Sequence, residues 1–133
     1  MIMAMHDIPY MATASPAFIP DLVKKVETAM AVEQGLSYIH IYNPCLTGWG
    51  IRSEHSIEVA RKAVKSRYFP LFESRHRRIK ITNKVKNPIP VADYLADIKK
   101  FSHLTEEEIE ELQRLTDERY QFLEAMEQVS GEL

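Results

Sequence analysis

Cys45 has the widest chemical reach of any residue in this chain. It is the sole cysteine, it directly follows Pro44, and it opens the run Cys45-Leu46-Thr47-Gly48-Trp49-Gly50. The two glycines let the backbone approach a bulky group closely and turn N–H groups toward it. A thiol in that setting has two open roles, metal coordination and inert burial, and the second is the ordinary one for a lone intracellular cysteine. His40 and His55 lie to either side in sequence. With Cys45 they make a loose nitrogen and sulfur set, but the spacing matches no structural zinc pattern. His40 alternates with Ile39 and Ile41 and is expected to be a hydrogen-bonded core histidine; His6, His55, His76 and His103 are expected at the surface. Trp49 is open between packing and shielding. No Ser-His-Asp arrangement, carboxylate pair or phosphate-binding glycine loop can be argued, so the sequence offers no catalytic acid or base.

Cys45 must be positioned by Tyr38-Ile39-His40-Ile41-Tyr42, an almost wholly β-branched and aromatic run that reads as a strand buried on both faces. Pro44 ends it, having no N–H for the ladder and pushing Asn43 toward an extended conformation. The thiol is therefore expected just past the strand's C-terminal edge, where open α/β sheets bind ligands. Upstream, Ile8 to Thr13 reads as a strand closed by Ser15-Pro16. Pro20 to Glu33 reads as a helix with Ile19, Leu22, Val23, Val26 and Met30 on one face and Lys24, Lys25, Glu27 and Thr28 on the other. Strand, helix and strand form the crossover unit of a parallel sheet.

Downstream, Ser53 is expected to cap a helix running to about Ser66. Phe69 to Glu73 and Arg78 to Thr82 read as a hairpin across Ser74-Arg75-His76-Arg77, without the usual Asn-Gly or Asp-Gly pair. Residues 83–90 read as a linker and Val91 to Phe101 as a short helix. Thr105 and Glu108 form a capping box and Leu104 and Ile109 a hydrophobic staple. They open a helix that continues to Met126; about 25 residues would span some 37 Å, long enough to pack on something beyond this chain. Residues 1–5 look like part of an amphipathic helix. Two parallel strands do not make a sheet, which needs cover on both faces and neighbours at its edges. The chain is thus expected to be a fragment, or a subunit whose sheet another polypeptide completes.

At 133 residues the chain is sized for one domain. With 17 basic and 19 acidic residues, its net charge of −2 gives no general affinity for nucleic acid. Charge is uneven: residues 61–86 hold ten Lys or Arg against Glu73 alone, and residues 105–133 hold ten acids against Arg114 and Arg119. The basic segment reads either as a solvated face or as a surface that steers an acidic electron carrier. Few aromatics are interleaved with it, which argues against RNA binding. Mean hydropathy is −0.28, and no apolar run is long enough to cross a membrane. A single cysteine forms no internal disulfide, which suits the cytoplasm.

Asn43-Pro44-Cys45-Leu46-Thr47-Gly48-Trp49-Gly50 resembles the "PCPTGWG" segment of the β subunit of 2-oxoacid:ferredoxin oxidoreductases, the pyruvate synthase type of thiamine diphosphate enzyme. Ile8-Pro9-Tyr10-Met11-Ala12-Thr13-Ala14-Ser15 is similar to the family's "IPYVATAS" strand. Further pieces follow in the family's order: Ile57 to Ala63, Phe69 to Glu73, Val91 to Leu95 and His103 to Ile109. The resemblance covers nearly the whole chain. It implies an α/β fold, namely a partial parallel sheet of a thiamine diphosphate-binding fold with a hairpin and a long C-terminal helical arm. Residues 1–73 would be the C-terminal portion of the thiamine diphosphate-binding domain, and residues 74–133 the basic hairpin strand, linker and arm.

The resemblance also implies that Cys45 is one ligand of a [4Fe-4S] cluster, with Thr47 and Gly48 offering donors to cluster sulfur. The other cluster cysteines, and the motif that binds thiamine diphosphate and Mg²⁺, would lie mainly outside this chain. The implied reaction is oxidative decarboxylation of a 2-oxoacid, with electrons passing through iron-sulfur clusters to ferredoxin and the acyl group to coenzyme A. The implied partners are the rest of the β subunit, the other subunits and ferredoxin, with neither nucleic acid nor membrane, and the isolated chain would be inactive. The alternative is a non-catalytic interaction or assembly module derived from the same fold.

Overall fold

The computed structural model describes residue 3 and residues 6–131. The helix expected over residues 1–5 falls almost entirely outside them. The elements are β1 (Tyr10–Ala14), α1 (Ile19–Met30), β2 (Ser37–Ile41), a single helical turn α2 (Leu46–Trp49), α3 (Ser56–Lys65), β3 (Phe72–Arg75), β4 (Arg78–Ile81), α4 (Val91–Leu95) and α5 (Glu106–Ser130). Short 3₁₀ turns at Ser53–His55 and Lys99–Phe101 precede α3 and follow α4.

The four strands form one sheet in the order β2-β1-β3-β4. Only β1 and β2 are parallel, with Tyr10 opposite Ser37 and Ala14 opposite Ile41, as the crossover through α1 requires. β3 runs antiparallel to β1, placing Tyr10 opposite Arg75, and β4 runs antiparallel to β3. The hairpin therefore joins the same sheet as the crossover. Thr13 finishes the β1 to β3 pairing with its side chain: Oγ1 accepts from Phe72 N at 3.0 Å and donates to the Pro70 carbonyl at 2.7 Å.

α5 covers one face of the sheet, where Met11, Phe72, Ile79 and Ile81 pack with Tyr120 and Leu123. A second core lies beyond the C-terminal end of the parallel strands and holds Tyr42, Ile51, Val59, Ala63, Val91, Tyr94 and Ile98. Leu104 and Ile109 pack against that core, and the capping box they flank is present, with Glu108 N donating to Thr105 Oγ1 and Thr105 N donating to Glu108 Oε2. The observed length of α5 is 25 residues.

Three local expectations are corrected. β2 is not buried on both faces: it is the outermost strand, and Tyr38 and Ile41 are exposed, because among the described residues no strand lies beyond it. α1 does not bury its apolar stripe, nor does its polar face turn inward as a whole: Leu22 is half-buried and Lys24 and Glu27 are exposed. Ile19, Val23, Val26 and Met30 face outward, while Lys25 is only 1% exposed. The reason is the polar ground beneath the helix, where the Lys25 ammonium donates to the Thr13 carbonyl (2.8 Å), Thr82 Oγ1 (2.7 Å) and Asp21 (2.6 Å). Ser53 does not cap α3; it starts the 3₁₀ turn, and His55 at the N-cap position gives no side-chain hydrogen bond.

The hairpin is shorter than expected, with strands at Phe72–Arg75 and Arg78–Ile81 and a two-residue turn at His76 and Arg77. Both turn residues have positive φ, 46° and 68°, the backbone of a type I′ turn. That geometry matches the twist of the strands, so it forms without asparagine or glycine, at a conformational cost in each residue.

Candidate functional site

Cys45 is reached through Tyr42. The Tyr42 N–H continues the parallel ladder by donating to the Ala14 carbonyl at 2.8 Å, and its side chain turns into the second core. The Tyr42 and Tyr94 hydroxyls share a 2.7 Å hydrogen bond there. Burial holds both phenols above the ordinary tyrosine range. The Tyr42 ring also meets Phe69 and Trp49 at centroid distances of 5.1 and 6.1 Å. Trp49 is thus a packing residue on this core. Pro44 is buried, and the chain emerges from it at Cys45, just past the C-terminal edge of the sheet as expected.

Cys45 is exposed. It is the N-cap of α2, and its Sγ accepts from the Gly48 N–H at 3.3 Å. A Cβ on residue 48 would stand 3.0 Å from that sulfur. Glycine therefore keeps both the N–H donor and the open side of the thiol. Thr47 is exposed beside it. Gly50 ends the turn in the left-handed region (φ 64°), and a side chain there would run into Lys99, with Cβ atoms 2.9 Å apart. The structure thus places Cys45, Thr47 and Gly48 in one exposed turn, anchored by Pro44, Tyr42 and Trp49.

The histidines do not join them. His40 is exposed rather than a core histidine; it meets Phe69 edge-on at 5.2 Å and lines a groove of about 200 Å³ with Thr13, Tyr68, Phe72 and Leu123. His6, His76 and His103 are exposed and His55 is half-buried. Among the described residues no three His, Cys, Asp or Glu side chains are grouped so as to hold a metal ion. The Cys45 thiol could hold a metal centre only as one ligand of several.

The basic hairpin is likewise distant from Cys45. Arg75 lies opposite Tyr10, at the start of β1, whereas Cys45 follows the strand that ends opposite Ala14. The length of β1, five residues or about 16 Å, separates the two ends of the sheet. The basic hairpin therefore lies toward the end of the sheet opposite the thiol. Part of that charge is paired within the chain, Arg77 with Asp7 and Lys84 with Glu127.

Two buried polar groupings were not legible in the pattern. One is Lys25 with Asp21, whose i, i+4 spacing was the only signal. The other is the Tyr10 hydroxyl donating to Glu73 at 2.9 Å, with Arg75 beside the same carboxylate at 3.4 Å. No helix among the described residues is long and apolar enough to cross a membrane.

No family model matches the chain. Individual proteins do. It is 42% identical over 123 residues to the pyruvate synthase subunit PorB of Methanocaldococcus jannaschii, covering 92% of this chain and 41% of that protein. It is 39% identical over 132 residues to the ketoisovalerate oxidoreductase subunit VorB of Pyrococcus furiosus, covering 98% of this chain and 42% of that one. It is 40% identical over 128 residues to the NADH-dependent phenylglyoxylate dehydrogenase subunit beta of Aromatoleum evansii, covering 95% and 29%. The chain spans less than half the length of these curated relatives.

Proposed function

The chain is a homologue of part of the 2-oxoacid:ferredoxin oxidoreductase β subunits, and from that relationship we propose that it works as a portion of such a subunit in the oxidative decarboxylation of a 2-oxoacid. The names of the relatives point to pyruvate, ketoisovalerate and phenylglyoxylate, three acids that share the 2-oxo group and differ in side chain. The common chemistry is therefore that of the 2-oxoacid. Thiamine diphosphate with Mg²⁺ would supply the carbanion chemistry, and iron-sulfur clusters would carry electrons singly to ferredoxin, with coenzyme A as acyl acceptor.

The observation that carries the reading for this chain is the Cys45 turn. The sulfur is exposed, it takes an N–H from Gly48, and residue 48 has no side chain to cover it. This arrangement suits one thiolate ligand of a [4Fe-4S] cluster, with Gly48 donating to sulfur and Thr47, exposed in the same turn, as a further candidate donor. One cysteine is a quarter of a ligand set, so the other three would come from outside this chain. In this reading residues 1–73 end the thiamine diphosphate-binding domain and residues 74–133 form the hairpin strand, linker and arm. The arm would hold neighbouring subunits, since Leu115, Phe122 and Val129 stand exposed on α5 at seven-residue intervals.

The test is anaerobic purification of the chain with its native oxidoreductase partners, followed by iron and sulfide analysis and electron paramagnetic resonance of the reduced complex. The expected result is loss of one cluster signal in Cys45→Ser with the complex otherwise intact. An unchanged iron content and spectrum in Cys45→Ser would refute the ligand assignment, and an iron-free assembly would instead support the non-catalytic interaction module.

A further inference from the structure

The hairpin sets two guanidinium-bearing residues side by side. Arg75 and Arg78 are directly opposite each other across the two-residue turn, so their side chains leave the same face of the sheet, the one that carries Tyr10 and Glu73. Like charges in that relation destabilise a strand pair. Neither is well matched by an acid. Arg75 Nη2 stands 3.4 Å from both oxygens of Glu73, at the limit of a hydrogen bond, while the short bond to that carboxylate, 2.9 Å, comes from the Tyr10 hydroxyl. The Tyr10 ring lies 5.7 Å from the Arg75 guanidinium and fixes its place without adding an acceptor. Arg75 Nε is buried and has no hydrogen-bond partner among the described residues. Arg78 is exposed and forms no ion pair among them. A buried donor without a partner costs free energy, so this end of the hairpin is short of acceptors.

Arg75 also opens onto space. With His76 and Pro9 it lines an open cleft of about 520 Å³, whose other wall is Thr28 in the last turn of α1 and Glu33 and Gln34 just beyond it. The two walls differ in sign. The hairpin wall offers cationic donors, whereas the helix wall has the negative end of the α1 dipole, no basic residue in the last turn, and the Glu33 carboxylate. We propose that this cleft binds a small phosphate monoester whose organic body carries hydrogen-bond donors. The phosphate lies against Arg75, Arg78 and His76, and the body donates to the helix wall. A carboxylate brings one charge and two oxygens, too little for two guanidinium groups and an imidazole; a phosphate monoester brings about −1.5 to −2 and three terminal acceptors. The helix wall would repel a bare anion and is matched only when the far end of the ligand donates. The cleft lies at the end of β1 remote from Cys45 and uses no residue of its turn, so the assignment stands apart from the cluster reading.

The test titrates the full chain with glycerol 3-phosphate, inorganic phosphate and glycerol, read by calorimetry and by amide chemical shifts. The expected result is saturable binding of glycerol 3-phosphate that shifts the amides of Arg75 to Arg78 and of Glu33 and Gln34, at least about tenfold tighter than inorganic phosphate, with none for glycerol. Arg75→Gln should weaken that binding at least about tenfold, and so should Arg78→Ser, which changes an exposed residue and keeps the test independent of any loss of fold in Arg75→Gln. Gln34→Leu should weaken the ester several-fold and leave inorganic phosphate unchanged. Lys86→Ser, which removes an exposed cation outside the cleft, should alter neither. No saturable binding by about 10 mM overturns the site, as does binding that survives Arg78→Ser unchanged. Equal affinity for inorganic phosphate and the ester overturns the assignment of an ester. Binding by the chain alone that is lost in the complex with its native partners overturns it in favour of a subunit contact.

Discussion

The Lys25 ammonium, carried on α1, donates to the backbone carbonyl of Thr13 in β1 at 2.8 Å, so the helix is tied to the central sheet by a buried charge rather than by its apolar stripe. Asp21 supplies the counter-charge one helical turn earlier, at 2.6 Å. Lys25→Met fits the space but leaves the Asp21 carboxylate and the Thr13 carbonyl without their donor. Loss of one partner from a buried pair costs about 3–5 kcal/mol. Because Asp21 is partly exposed, the lower end of that range is expected, read as a lower urea midpoint. A midpoint equal to that of the unsubstituted chain would show the network to be dispensable.

The type I′ turn holds His76 and Arg77 at positive φ. Each such residue costs about 1–2 kcal/mol in an L-amino acid with a full side chain. Arg77→Gly is therefore expected to stabilise the chain by roughly 1 kcal/mol, even though it removes the exposed pair with Asp7, since such pairs contribute at most about 1 kcal/mol. His76→Asn added to it should raise the melting temperature further.

Glu127 and Ser130 occupy the outward N–H groups of β4. Glu127→Ala and Ser130→Ala should each cost about 1 kcal/mol in denaturant unfolding, the usual net contribution of such a hydrogen bond. The double variant is expected to associate through β4, which size-exclusion chromatography would reveal as a concentration-dependent shift absent from the parent chain.

Gly50 and Gly48 separate two roles in one turn. Gly50→Ala forces a side chain into the left-handed region and against Lys99, and should destabilise by about 1–2 kcal/mol. Gly48→Ala puts a methyl group beside the Cys45 sulfur, and should slow alkylation of the thiol by iodoacetamide several-fold while leaving the fold intact. Equal alkylation rates would mean that the sulfur's open side is not set by residue 48.

Tyr42 and Tyr94 bear on alkaline stability. Their folded-state pKa values, like that of Tyr10, are raised above the ordinary 10.0, chiefly by burial. Below pH 10 each is protonated folded or unfolded, and its contribution is complete. Above pH 10 the unfolded chain loses protons that the folded chain keeps, so stability falls as pH rises toward the folded values. Lys25 acts in the opposite sense: burial lowers its pKa from 10.5, so stability rises with pH between the folded value and 10.5. The difference between the unfolding free energies of the parent chain and Tyr94→Phe, followed from pH 8 to 11, isolates the tyrosine contribution. It should shrink above pH 10; a constant difference would place Tyr94 in an ordinary environment.

What could be read from the sequence followed local rules. The Thr105 and Glu108 capping box, the break at Pro44 and the strand-helix-strand crossover each depend on a few adjacent residues, and each is present. The orientation of α1 was illegible because an apolar stripe tells which residues avoid water, not whether the surface that buries them belongs to the same chain. The same holds for β2, whose composition suits a fully flanked strand but which is the edge of the sheet among the described residues. Cys45 was legible through its proline and glycines. The Tyr42 to Tyr94 contact joins residues 52 apart with no shared motif, so only the folded backbone displays it.

The position of β3 between β1 and β4 has a consequence for how the molecule is made. β1 and β2 are close in sequence and can pair early, but the other flank of β1 is filled by residues about sixty positions further on. Pairings of that sequence separation carry a larger chain-closure entropy than the local hairpin does. As the polypeptide emerges from the ribosome, β1 must wait for the hairpin to be synthesised, and the hairpin in turn keeps a bare edge until Glu127 and Ser130 appear. The last few residues of α5 thus end the interval in which the nascent chain has two sticky sides, and release it with one.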